Sequence, residues 1–317
     1  MPPGAGWVTW RPVPLLDALR AVTAFAPPAA LPGCDLALLG DVLAAHGLAP
    51  LASYQVETTP LGAGLPAVFR ERLLGHYQAV VNDNVLKLVT LRNALKDAAD
   101  VPVVLLEAAA YVDWLYPHMA FRPVGDLRIA LRAEDLARFR EALQGSLSLA
   151  RTEDGGRSAV FTDGRLTVTA QEGLFPGAPA DPQLFARRRP YPAFGPAAGR
   201  PSAEDALLST VGEQAKDGLL APLLTYVDLR ELLRLPLDPA YVLERARALG
   251  LARALHGATR LAAHFFPEVE DAAARVRPEL SLAERVAVDR VVEAAMDPAR
   301  LRHLRGAEAA ARAVVAP

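Results

Sequence analysis

The chain has a single cysteine, Cys34. No internal disulfide can form, and a cysteine-built zinc site is excluded. Cys34, in the run Pro32-Gly33-Cys34-Asp35, has no evident activating neighbour, so a structural thiol is the expected reading. Lysine is scarce and the basic charge is carried almost wholly by arginine. The formal net charge is −2, so the chain lacks the overall basic surface of a nucleic-acid binder. No run of ~18 uncharged apolar residues occurs, so a membrane span is not expected. The first residues lack the basic start and apolar run of a secretory leader, which makes the cytoplasm the expected location. A phosphate-loop glycine pattern is missing, and so is any repeat at a solenoid period. The histidines His46, His76, His118, His256, His264 and His303 show no tight metal-ligand spacing, and packing or capping is expected of them.

What is present is a large apolar share, 52% of 317 residues, enough for a sizeable core. Hydrophobic spacing predicts helices over most of 13–98, the longest spanning 66–98 with Asn82 and Asn84 as a polar kink or cap in its middle. From 101 the pattern changes. The apolar run 102–106 reads as a buried strand, 107–115 as a helix, 127–131 as an alternating strand and 133–143 as a helix. Turn signals follow at Asp154-Gly155-Gly156 and at Asp163-Gly164. The second is read as a two-residue hairpin turn joining 158–162 to 165–170. Seven prolines between 173 and 201 argue for loop there, because proline cannot donate to a ladder or continue a helix. Inside that loop Arg187-Arg188-Arg189 reads first as a solvated charge run, with a phosphate or acidic-partner contact as the sharper alternative. Ser202, with Asp205 three residues on, caps the first of a series of C-terminal helices ending near 314. The expected organisation is a helical region at 1–98, an α/β core at 99–175, a proline-rich loop at 176–201 and a helical domain at 202–317.

The segment with chemical content is 115–131. Gly125-Asp126 opens a strand, and a carboxylate at a strand mouth beside a helix N-terminus is a candidate magnesium ligand. Nucleotidyl transfer uses such carboxylates in pairs. Residues i and i+2 of one strand share a face, and together they hold the two magnesium ions that bridge the phosphates and activate the attacking oxygen. A third carboxylate usually comes from a neighbouring strand. Here the i+2 residue is Arg128, which repels a divalent cation. A lone Asp126 is a weak magnesium site and reads first as a turn or helix cap.

From about 65 to 266 the chain resembles a family of uncharacterised bacterial nucleotidyltransferases found in polysaccharide and peptide natural-product clusters. Members carry a leucine-lysine-glycine turn, a tyrosine-proline, an arginine-proline and a glycine-aspartate-x-aspartate strand. Tyr116-Pro117, Arg122-Pro123 and Gly125-Asp126 match at the right spacing. The strand at 102–106 matches the one before the lysine-glycine. Asp205-Ala206-Leu207-Leu208, Tyr226-Val227-Asp228-Leu229 and Ala246–Leu251 look like the helical half of the family. The resemblance implies an α+β fold: a small mixed nucleotidyltransferase-type sheet flanked by helices, with an N-terminal helical region and a C-terminal helical bundle.

The departures cluster at the chemistry. The family's lysine-glycine stands as Glu107-Ala108. Its second aspartate is Arg128, its third acidic position falls at Thr169, and the histidine after it aligns with Gln171. Asp126 and Asp228 survive. A lysine has thus become an acid and an aspartate a base, at positions that the resemblance brings together on the active-site floor. The expectation is a bidentate Glu107–Arg128 ion pair filling the metal site; the alternative is that both point to solvent.

Three functions follow as expectations. One is a non-catalytic binding or scaffolding protein with a nucleotide or protein partner and no cofactor. Another is an active magnesium-dependent nucleotidyl- or phosphoryl-transferase using Asp126, with Asp228, Glu107 or Glu172 in support. The third is a metal-independent nucleotide sensor using Arg122, Arg128 and the 187–189 loop. The residues expected to bind a nucleotide or line its pocket are Arg122, Arg128, Glu107 and Asp228, with Asp126 catalytic only in the active case; no metal-ligand set is expected.

Overall fold

The structure is a computed structural model that describes residues 14–143, 146–153, 157–296 and 307–316. Helix α1 (Pro14–Thr23) is followed by α2 (Leu36–Ala45), α3 (Ala49–Thr58) and the 31-residue α4 (Ala67–Asp97). Each start has a local cause. Asp35 accepts hydrogen bonds from the Ala37 and Leu38 amides and so caps α2. Pro50 sits in the first turn of α3, where its missing N–H costs nothing, and Pro66 immediately precedes α4.

Strands β1 (Val103–Leu106) and β2 (Leu127–Ala130) are nearly wholly buried and pair antiparallel. The short α5 (Ala108–Tyr111) follows β1, and α6 (Leu136–Ala142) follows β2. A meander of β3 (Ser148–Glu153), β4 (Ser158–Thr162) and β5 (Thr167–Gln171) comes next, then α7 (Pro182–Arg187), β6 (Arg189–Pro190) and β7 (Ala198–Arg200). The seven strands form one mixed sheet in the order β3-β4-β5-β2-β1-β7-β6, with β2/β5 and β1/β7 parallel. The C-terminal helices are α8 (Ala203–Lys216), α9 (Leu223–Leu233), α10 (Pro239–Ala248), α11 (Ala252–Phe265), α12 (Glu270–Val276), α13 (Leu282–Ala295) and α14 (Ala307–Val315). This is the expected α+β class. Helix α8 lies against the sheet side, where the Ser209 hydroxyl donates to the Leu174 carbonyl. Gly212 lets it approach closely, because a Cβ there would overlap the Phe175 ring.

The N-terminal and C-terminal helices are stitched together by arginine donors on backbone carbonyls. Arg20 donates to Phe265 and His264, and the fully buried Arg230 donates to Thr23. Among the described residues, most of the buried apolar side chains join one cluster that runs from Leu15 to Val315. No helix among the described residues is long and apolar enough to cross a membrane.

Four expectations need correction. The stretch 173–201 is not all loop: it supplies α7, β6 and β7, and β7 pairs with β1 beyond residue 175. Its prolines sit where proline is tolerated. Pro182 starts α7 under the Asp181 cap, Pro190 is on the edge strand, and Pro196 and Pro201 flank β7 without entering it. The helix expected over 107–115 is a single turn, 108–111. The Asp163-Gly164 hairpin has a four-residue connection, since Thr162 pairs with Thr167; Asp163 accepts from the Arg165 and Leu166 amides to close it. Asn84 neither kinks nor caps α4. It is fully buried, donates to the Met119 and Arg122 carbonyls and accepts from the Val124 amide. The turn expected at 154–156, the start of the last helix and His303 lie outside the described residues.

Replacing Asn84 by Ala strands two carbonyls and one amide in the interior. A loss of about 2–4 kcal/mol in urea unfolding is expected, with helix content retained.

Candidate functional site

Segment 116–124 leads into β2 and is fixed by one buried charge cluster, while a second, partly buried one lies on the sheet beyond it. In the first, Arg122 and Asp228 form an ion pair at 2.7 Å, with side chains only 10% and 1% exposed. Arg122 Nε donates to both Asp228 oxygens at 3.1 Å, Nη2 donates at 2.7 Å, and Nη1 turns back to the Pro123 carbonyl. The Tyr116 hydroxyl donates to Asp228 Oδ1 at 2.5 Å. Burial works against the Arg122 charge, but the Asp228 carboxylate outweighs it and the guanidinium pKa rises. Burial and the same carboxylate hold Tyr116 protonated. Thus Arg122 and Asp228, two of the expected nucleotide contacts, spend their polar atoms on each other.

The second cluster lies where β1 and β2 face α8. Arg128 pairs in register with Leu106 on one side and Thr169 on the other. Its Nη1 hydrogen-bonds Glu213 of α8, and its Nε lies 3.9 Å from Glu107 Oε2. Lys216, one turn on, sits 3.5 Å from the same Glu213 oxygen. The expected Glu107–Arg128 contact is therefore present, but it is not bidentate. The stronger partner is Glu213, which sequence reasoning missed along with Lys216 and Tyr116. The available signal was a charged pair, Glu213 and Lys216, ending a helix that is otherwise buried along most of its length.

Glu107 is the unusual member. It follows β1 with φ 48 and ψ −127, a left-handed backbone that costs an L-residue roughly 1–3 kcal/mol. Its side chain is 18% exposed, and its Oε1 is buried with no hydrogen-bond partner. Desolvation, reinforced by Glu213 and only partly offset by Arg128, raises its pKa to about 8.

Asp126 stands exposed at the mouth of β2, with Arg128 as its i+2 neighbour. Glu172 cannot join it. β5 runs parallel to β2, so Glu172 lies beside Leu131 at the far end of the strands, about 16 Å away at ~3.3 Å per residue. There it lines a 190 Å³ cavity with Arg132 and Asp181. Among the described residues, no group of three or more His, Cys, Asp or Glu is placed to hold a metal ion. His118 accepts from the Ala120 amide, His46 from the Leu223 amide, and His256 and His264 meet the Pro278 and Met296 carbonyls. Burial, then Asp35, raises the Cys34 pKa, so the thiol is not activated. Arg187 is taken up by Glu204 at 2.8 Å and Asp205 at 3.6 Å, and stacks 3.8 Å from the Tyr241 ring.

Two measurements probe these clusters. Asp228→Ala leaves Arg122 charged, buried and unpaired, and a loss of about 3–5 kcal/mol in chemical denaturation is expected. Folding raises the Glu107 pKa, so the protonated acid favours the folded state. That contribution is whole below about 4.5 and is lost as pH rises through about 8. Glu107→Gln should match the parent below about pH 4 and exceed it above pH 8, by on the order of a few kcal/mol. Equal stability of the two across that range would refute the burial argument.

Residues 33–267, more than half of the chain, match the model of a family described as uncharacterised nucleotidyltransferase. No curated protein and no solved structure matches the chain. With a mixed sheet flanked by helices and a glycine-aspartate at the mouth of a central strand, the chain belongs to this family of uncharacterised nucleotidyltransferases.

Proposed function

We propose that this chain is a nucleotidyltransferase-fold protein with a degenerate metal site. On this reading it acts as a non-catalytic binding or scaffolding component, in the cytoplasm, for a nucleotide or protein partner. The observation that carries the proposal is Arg128, held by Glu213 and Glu107 where the family pattern has its second aspartate. A magnesium ion 4 Å from a guanidinium is repelled by roughly 8 kcal/mol at an effective dielectric near 20, which cancels the attraction of one carboxylate at that distance. Asp126 is then the sole acid left at the strand mouth. Burial and the neighbouring Glu213 raise the pKa of Glu107, which disfavours the ionised form that a metal would need. Hard divalent cations require several converging oxygens, and this donor set does not fit one. No transfer step is therefore assigned to it.

Support also comes from how the substitutions compensate. Acid replaces base at 107 and base replaces acid at 128, and the two side chains lie within ion-pair distance. The floor of the site is a packed charge cluster linking the sheet to α8 through Glu213.

The test is calorimetry with ATP, CTP, GTP and UTP, each with and without magnesium, together with an assay for pyrophosphate release. The proposal expects no turnover and no magnesium-dependent gain in affinity. Magnesium-dependent nucleotide binding that Asp126→Asn abolishes would overturn it in favour of an active transferase.

A further inference from the structure

Helix α4 runs for 31 residues, and only one side of it is covered. Its buried stripe, through Leu73, Asn84, Leu88, Leu91 and Leu95, packs on the body of the fold. Yet five of the eight exposed large apolar side chains among the described residues also lie on this helix. Leu86 and Val89 are 47% and 48% exposed, with Val85 beside them at 43%. Soluble chains seldom gather leucine and valine on one open helix face unless something covers them.

The outer side has a pattern of its own. Ala79, Asn82, Leu86, Val89, Asn93 and Lys96 are all exposed and recur at alternating steps of three and four. That is the spacing of a coiled-coil seam, which stays turned toward a second helix packed along it. The 163–166 turn stands beside the seam without filling it: a 360 Å³ cavity lies between the turn and Asp83, Leu86 and Thr90.

We propose that this face of α4 is the interface of a two-fold homodimer, in which α4 packs antiparallel to α4 of a second copy. The seam is self-complementary in one antiparallel register. Leu86 packs on Val89 of the copy, Asn82 meets Asn93 of the copy, and the Lys96 stem lies over the small Ala79 of the copy. Two-fold symmetry makes each contact twice. On one flank Asp83 comes opposite Thr90 of the copy, and His76 opposite Asp97 of the copy. A hydroxyl donor thus meets a carboxylate, a histidine meets an acid, and no like charges are paired across the seam. Asp83 already bonds Lys87 of its own helix at 2.8 Å, and its carboxylate retains lone pairs for the threonine. Asn93 accepts from Lys96 at 3.3 Å, which leaves its amide nitrogen to donate across the seam. An asparagine layer costs affinity but fixes the register. A parallel pair would instead set Lys96 against Lys96 in the seam and align the two helix dipoles. From Gly75 to Asp97 the seam is about 33 Å long at 1.5 Å per residue. Two helices packed over that length bury on the order of 1,200 Å², the lower end for a specific interface, so association in the micromolar range is expected. The seam contains none of the residues at the mouth of β2 and stands independently of the reading of that site.

Sedimentation equilibrium of the full chain at about 100 µM tests it. The expected mass is twice that of the chain, falling toward the chain mass on dilution. Leu86→Arg should raise the dissociation constant roughly tenfold or more. It should leave the circular dichroism spectrum of the monomer unchanged, because the side chain is exposed in the single chain. Oxidative cross-linking in a Cys34→Ser background fixes the direction. Asn82→Cys combined with Asn93→Cys should give a covalent dimer, and either replacement alone should not. Cross-linking by a single replacement would indicate a parallel pair and overturn the register. A monomer at every concentration, or a dimer that Leu86→Arg leaves intact, would overturn the proposal.

Discussion

The Asp228 carboxylate, buried on α9 and shared between Arg122 and Tyr116, decides the shape of the whole region around β2. A charge so enclosed persists only when every oxygen is satisfied, and here both accept hydrogen bonds. The pair ties the segment entering β2 to the C-terminal helices. From the other side Asn84 of α4 holds the same segment by three backbone hydrogen bonds. Gly125-Asp126 thus emerges from a stretch pinned by both helical regions.

Arginine plays this connecting part repeatedly. Arg230 is enclosed between the rings of Phe25 and Phe266, donates to the Thr23 carbonyl and pairs with Glu231. Arg20 reaches two carbonyls at the end of α11. A planar guanidinium donates in several directions while its faces stack on aromatic rings, which a lysine ammonium cannot do. In a chain poor in lysine, arginine therefore serves as an internal fastener as well as a surface charge. Against that pattern Glu107 stands out, because it combines a left-handed backbone with a buried, unpartnered carboxyl oxygen.

Much of this was legible from residue order. The α+β class and the two central strands follow from periodicity, while the proximity of positions 107 and 128 was implied by the family resemblance that the short motifs carry. Those are local or nearly local signals. Helix caps such as Asp35 and Ser202 are equally local, since the side chain bonds an amide two or three residues away.

Tertiary structure decided the rest. Proline content predicted loop at 173–201, but β7 needs only three residues free of proline and an open edge on β1, and that edge lies about 95 residues upstream. Arg122 and Asp228 each read as ligand contacts in isolation; 106 residues apart, they neutralise each other. Glu213 became the partner of Arg128 because the fold brings the end of α8 within side-chain reach of β2. A charged side chain looks the same in sequence whether it meets solvent, a ligand or an opposite charge. Which of these it meets depends on distances of 3–4 Å between residues far apart in the chain, and only the packed fold sets those distances.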